Sequence, residues 1–142
     1  MISLTRNAGR YIGKLSNQIR RRLDMLSSRK EFSGSQGRTL HFLLSQTGDI
    51  FQKDIEAEYS IRPSTATALL KQMEKNGLIV REPVAYDNRL KKIVVTEKAL
   101  QYQQQVLEDL TALDETLVRG ISDADMQVFF RVMEKMLDNL SE

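Results

Sequence analysis

Residues 63–76 read Pro-Ser-Thr-Ala-Thr-Ala-Leu-Leu-Lys-Gln-Met-Glu-Lys-Asn, and a helical projection sorts these side chains by chemistry. Ala66, Leu69, Leu70 and Met73 fall on one face, an apolar stripe suited to a core. Opposite them lie Ser64, Ala68, Lys71 and Lys75, with Thr65, Thr67 and Gln72 on the shoulders. Hydroxyls near a helix N-terminus can reach base edges or phosphate oxygens, and lysines farther along neutralise phosphate charge, so this face suits a helix lying in the major groove of duplex DNA. A second cluster, Asp87-Asn88-Arg89, supplies a guanidinium that can enter a narrow, strongly negative minor groove. Asp87, a carboxylate that phosphate repels, is expected to orient Arg89 by a salt bridge rather than to touch DNA. A polar helix face alone fits an ordinary solvated surface equally well, so the flanking elements decide.

Those elements follow in a telling order. Pro63 opens the helix where a missing N–H is harmless, and Gly77 stops it. Before it, residues 52–59 carry Ile55 and Tyr59 at i, i+4, then Ile61 in a tight connection, as in a helix-turn-helix. After Gly77 the pattern becomes extended. Leu78-Ile79-Val80-Arg81-Glu82 and Leu90-Lys91-Lys92-Ile93-Val94-Val95 are rich in β-branched residues and flank a polar turn, with Asp87-Asn88-Arg89 expected at the hairpin tip. Two short helices followed by a hairpin describe a winged helix-turn-helix.

Gln52-Lys53, Ile61, Ser64-Thr65, Thr67, Leu69-Leu70, Glu74-Lys75, Gly77-Leu78, Arg81, Asp87-x-Arg89 and Thr96-Glu97-Lys98 occur in one ordered set. In this, residues 50–99 resemble the core of the MarR (multiple antibiotic resistance regulator) family of transcription factors. The resemblance covers the whole chain in layout and its middle third in motif. It implies a dimer built by helices from both chain ends, and a small aromatic acid or lipophilic effector bound between the DNA-binding lobe and those helices. Tyr11, Arg38 and His41 are the expected lining, because aromatics and a cation suit such an acid. Four positions depart from the family pattern. Ala68 replaces an Arg that many members carry, and Lys71 stands where an acidic residue is common. Phe51 occupies the place of a hydroxyl helix cap, and Ser60 that of a turn glycine.

At 142 residues the chain is one domain's worth, and 41% hydrophobic content suffices for a core. No apolar run approaches the roughly 18 residues of a membrane-spanning helix. Residues 1–6 lack the apolar segment of a signal peptide, so the expected location is the cytoplasm. The net charge is only +2, which requires local placement of any basic footprint. Glu108, Asp109, Asp114, Glu115, Asp123 and Asp125 gather in the last third, away from the basic motif. Cysteine is absent and His41 is the single histidine, which excludes a thiol switch and a Cys/His zinc site. No phosphate loop or nucleophile–base pair is present, so neither a cofactor nor enzymatic activity is expected.

The remaining segments read as helices. The first, over residues 5–27, carries an apolar stripe of Ala8, Ile12, Leu15, Ile19, Leu23 and Leu26 beside the basic run Arg20-Arg21-Arg22. Another spans residues 36–45 with Ser35 as its cap. From Thr96 one long helix is expected to reach residue 119, its apolar rows being Leu100, Leu107, Leu110, Leu113 and Leu117. Ser122 caps the last, which offers Val128, Phe129, Val132, Met133, Met136, Leu137 and Leu140. The expected fold is mainly α with a small β-hairpin wing. Residues 1–142 form a single domain in which 33–98 are the DNA-binding lobe, and 1–30 and 99–142 are dimerisation helices. The function expected of it is a homodimeric repressor that binds double-stranded, pseudo-palindromic DNA. The alternative, since fold alone does not settle function, is a winged-helix protein-interaction module without specific DNA binding.

Overall fold

Ala66, Leu70 and Met73, three of the four residues in the apolar stripe, are fully buried, and Leu69 packs against the same cluster at its margin. The computed structural model describes residues 1–26 and 32–141. In chain order its elements are α1 (Ala8–Leu26), α2 (Gly34–Ser45), α3 (Gln52–Tyr59), α4 (Pro63–Lys75), β1 (Ile79–Val84), β2 (Asp87–Val95), α5 (Glu97–Leu100), α6 (Gln103–Leu117) and α7 (Asp123–Leu140). The expected end of the first helix at residue 27, and the lobe limits at residues 30 and 142, lie outside the described residues. Two compact units are formed, Met1–Leu110 and Thr111–Glu142, with the division inside α6.

In the first unit, Leu40 from α2, Ile55 from α3, Leu70 and Met73 from α4, and Leu78 and Ile79 at the start of the hairpin close one core. The α1–α2 junction is tight enough to require glycine. A Cβ on Gly34 would lie 2.6 Å from Leu23 Cβ, and the Gly34 N–H donates to Asp24 Oδ1 at 3.2 Å. This contact sets the start of α2 earlier than expected. Ser33, not Ser35, is the N-cap, its Oγ accepting the Gln36 N–H. The antiparallel hairpin is tied back to the α2–α3 connection, where the Ile93 N–H donates to the Ile50 carbonyl at 2.7 Å.

Two further expectations are corrected. The hairpin turns at Ala85-Tyr86, two residues before the expected tip, and Asp87-Asn88-Arg89 belongs to β2. Val84 pairs with Asp87 while Pro83 pairs with Lys91, so the register slips and Asn88, Arg89 and Leu90 bulge from the ladder. Pro83 has no N–H to donate, which suits a break there. The long helix from Thr96 is interrupted. Gln101 and Tyr102 donate to the carbonyls of Lys98 and Ala99 in a tightened i→i−3 turn, and the Tyr102 ring meets Phe32 edge-on at 4.9 Å. Thr96 does cap α5, accepting the Ala99 N–H at 3.2 Å.

In the second unit, Ser122 caps α7 by accepting the Asp125 N–H at 3.1 Å, with Asp123 and Asp125 in the first turn complementing the helix dipole. No residue of α7 is buried, and Val128, Phe129, Val132, Leu137 and Leu140 are exposed. The stripe on α1 behaves alike, since only Leu23 is buried and Ile12 and Leu15 face solvent. Among the described residues no helix is long and apolar enough to cross a membrane.

Candidate nucleic-acid interface

Helix α4 is held at both ends. At its start the Gln52 side-chain amide reaches across from α3, donating to the Pro63 carbonyl at 3.2 Å and to Thr67 Oγ1 at 3.0 Å. Thr67 in turn donates to the Pro63 carbonyl at 2.9 Å. At its end Gly77, with φ +75°, allows a Schellman turn: Leu78 N–H donates to the Met73 carbonyl and Gly77 N–H to that of Glu74. Asn76 Nδ2 donates to Oε1 of Gln36, a buried α2 side chain, at 2.8 Å. Lys98 Nζ donates to the Asn76 carbonyl at 2.8 Å, placing a cation at the negative end of the helix dipole. Arg81 Nε lies 3.2 Å from Glu74 Oε1, joining β1 to the same helix. Asn76 and Gln36 were not singled out by sequence, and Gln52 stood out only as part of the ordered motif set. For the first two the only sequence signal is a side-chain amide beside a helix end.

With its ends fixed, α4 presents two exposed rows. At about 100° per residue, Ser64, Lys71 and Lys75 lie within about 20° of one line, directly opposite Met73. All three are exposed. Thr65, Ala68 and Gln72 form the neighbouring row, and these three also line a cleft. Thr67 differs from both rows. It is half-buried and its hydroxyl is engaged in the Gln52 and Pro63 bonds, so its geometry is that of a brace between α3 and α4.

On the wing, Arg89 is 91% exposed and projects from the bulge. Its backbone N–H donates to Asp87 Oδ1 at 2.9 Å, and its Nε lies 3.3 Å from the same oxygen. The expected Asp87–Arg89 ion pair is therefore present in the geometry.

The cleft, of about 710 Å³, opens between α1, α2 and α4. Arg20 and Arg38 line it together with Ser16, Gln36, Thr39 and Tyr59, and no Asp or Glu does. Burial raises the Tyr59 phenol above its ordinary pKa, with a lesser push from Glu58; the Thr39 hydroxyl and Arg38 oppose the shift without cancelling it. The phenol thus stays a neutral hydrogen-bonding group. Of the three residues expected to line a ligand pocket, Arg38 lines this cleft. Tyr11 is exposed beside the Arg10 guanidinium, because five residues separate it from Ser16 and turn it about 140° around α1. His41 is half-buried and does not line this cleft. A second hollow, of about 530 Å³, has the opposite sign, with Asp49, Asp54 and Glu58 and no basic residue in its lining. Asp54 is already committed there, accepting the Phe51 N–H at 2.8 Å, while its own N–H, which a hydroxyl cap would have taken, donates to the Phe51 carbonyl at 3.0 Å.

Comparison with known proteins agrees with this geometry. Residues 31–90 match the sequence profile of the MarR family. The HTH-type transcriptional repressor IacR of Pseudomonas putida is 22% identical over 130 residues, which cover 92% of this chain and 77% of IacR. The crystal structure of the transcription regulator MarR from Oenococcus oeni PSU-1 superposes with a TM-score of 0.81 at 26% identity, covering 93% of this chain and 99% of that one. MepR of S. aureus, solved as a DNA complex, gives a TM-score of 0.86 at 24% identity over 95% of this chain and 99% of its own. Fold, motif order and relatives converge on the winged helix-turn-helix transcriptional regulators of the MarR family, whose profile this chain matches over residues 31–90.

Proposed function

We propose that this regulator is a homodimeric, sequence-specific repressor that occludes a promoter by binding a pseudo-palindromic operator in the cytoplasm, and that it acts by binding rather than by catalysis. The observation that carries the reading is the exposed Ser64, Lys71, Lys75 row on a helix braced at both ends, beside an exposed wing arginine. Ser64, Thr65 and Gln72 contact base edges or phosphates, Lys71 and Lys75 neutralise backbone charge, and Arg89 enters the minor groove. Thr67 sits closer to a bracing role than to direct readout. Residues 33–98 act as the DNA-binding lobe. The exposed apolar rows of α1 and α7 favour segments 1–30 and 99–142 as the dimer contacts, and a two-fold axis would set two recognition helices on successive half-sites. The cationic cleft favours release by an aromatic carboxylate. Such a ligand regulates only if it binds one spacing of the recognition helices better than the other.

The test is selection and sequencing of duplexes retained from a random pool by the purified protein. Enrichment of a pseudo-palindrome with half-sites about one helical turn apart is expected. On that operator, Thr65→Val should alter sequence preference with a modest loss of affinity. Absence of any retention would transfer the reading to a protein-interaction module.

A further inference from the structure

The wing apex carries a large side chain that no contact described above employs. Tyr86 is the second residue of the Ala85-Tyr86 turn, is 73% exposed, and makes no hydrogen bond, ion pair or ring contact among the described residues. Val84, two residues before it, is buried, so the apex is not merely frayed chain; it has an inner side and an outer one, and Tyr86 is on the outer. Arg89 Nε is drawn to Asp87, the residue next to Tyr86, which brings the cation and the ring to the same end of the hairpin. Across residues 83–91 the single acid is Asp87, which Arg89 offsets, and Lys91 leaves this stretch net positive.

We propose that Tyr86 is a second DNA-contacting residue of the wing. The ring packs along a deoxyribose at the edge of the minor groove, and the phenol O–H donates to a phosphate oxygen beside the site of Arg89. Tyrosine suits this position because one flat face is apolar and the other end is a hydrogen-bond donor, matching a sugar edge next to a phosphate. A groove about 6 Å wide admits a ring lying along its wall. The contact extends the protein's grip beyond the base pairs met by α4, and it rests on the DNA-binding reading above.

The experiment compares the parent, Tyr86→Ala, Tyr86→Phe and Arg89→Ala on the selected operator over a range of salt, with thermal denaturation of each. Tyr86→Ala should lose affinity on the order of tenfold, as removal of an aromatic contact to nucleic acid does, and keep its melting temperature. Tyr86→Phe should lose about threefold, the share of one hydrogen bond. Neither Tyr86 substitution removes a positive charge, so both variants should keep the parental salt slope, whereas Arg89→Ala should lower it by about one. Hydroxyl-radical footprints should lose the outermost protected sugars in Tyr86→Ala while the half-site protections persist. Parental affinity and an unchanged footprint for Tyr86→Ala, with the parent binding specifically, would overturn the Tyr86 assignment alone. A parent that retains no duplex would overturn the DNA-binding reading and this inference with it.

Discussion

A single carboxylate oxygen, Asp87 Oδ1, accepts the backbone N–H of Arg89 at 2.9 Å and lies 3.3 Å from its Nε. With Arg89 91% exposed, solvent screens the pair and little folding stability is expected from it. Its value is orientational. Asp87→Asn retains an acceptor for the backbone N–H and loses the charge, whereas Asp87→Ala loses both. Operator affinity measured by fluorescence anisotropy should fall in the order parent, Asp87→Asn, Asp87→Ala, over a range of about threefold to tenfold. The salt slope should stay parental because the Arg89 charge remains. A gain in affinity would mean that the carboxylate acts only by repelling phosphate.

The Gln52–Thr67 contact makes a different prediction, since it is a brace within the protein. Gln52→Leu and Thr67→Val should each destabilise the fold by about 1 kcal/mol, and the double variant should cost less than their sum because each single change already removes the shared bond. Urea unfolding of the four proteins gives the coupling term directly. Strict additivity would show that the Gln52–Thr67 bond contributes nothing.

Much of this was legible in the sequence because it rests on short-range rules. The period of Ala66, Leu70 and Met73, the Pro63 start, the Gly77 stop and the Thr96 cap depend on residues a few positions apart, and the structure holds them all. What failed depends on tertiary contact. The α2 start follows from Gly34 against Leu23, and the break before α6 accompanies the packing of Tyr102 on Phe32. Neither partner is visible from local pattern. The wing turn was misplaced because Asp-Asn is a strong turn signal, whereas Ala85-Tyr86 carries none. The place of Tyr11 outside the α1–α2–α4 cleft was not legible either, because face assignment on α1 needs to know which side meets α2.

Ser60 ends α3 in the left-handed region, at φ 51° and ψ 44°, where the family often has glycine. A side chain in that conformation costs about 1–2 kcal/mol, while a glycine adds about 0.5–1 kcal/mol of unfolded-state entropy to be lost on folding. The first effect is the larger, so Ser60→Gly should stabilise the fold by about 0.5–1 kcal/mol and raise the melting temperature by about 2–4 °C at matched protein concentration. Operator affinity should not change, because Ser60 belongs to neither exposed row of α4. A lower melting temperature would mean that the Ser60 hydroxyl contributes more than its backbone strain costs.

Tyr59 links the cleft to stability at alkaline pH. Its phenol is raised above the ordinary value of 10.0, chiefly because burial penalises the phenolate. The folded state therefore holds the proton more tightly than the unfolded chain does. The resulting stability is fully present below about pH 10 and is lost as pH rises from there through the folded pKa. Tyr59→Phe removes the titrating group. It should therefore lose less stability than the parent between pH 9 and 11, so the separation of the two stability curves changes over that range. Curves that stay parallel would show that the Tyr59 phenol ionises as easily folded as unfolded.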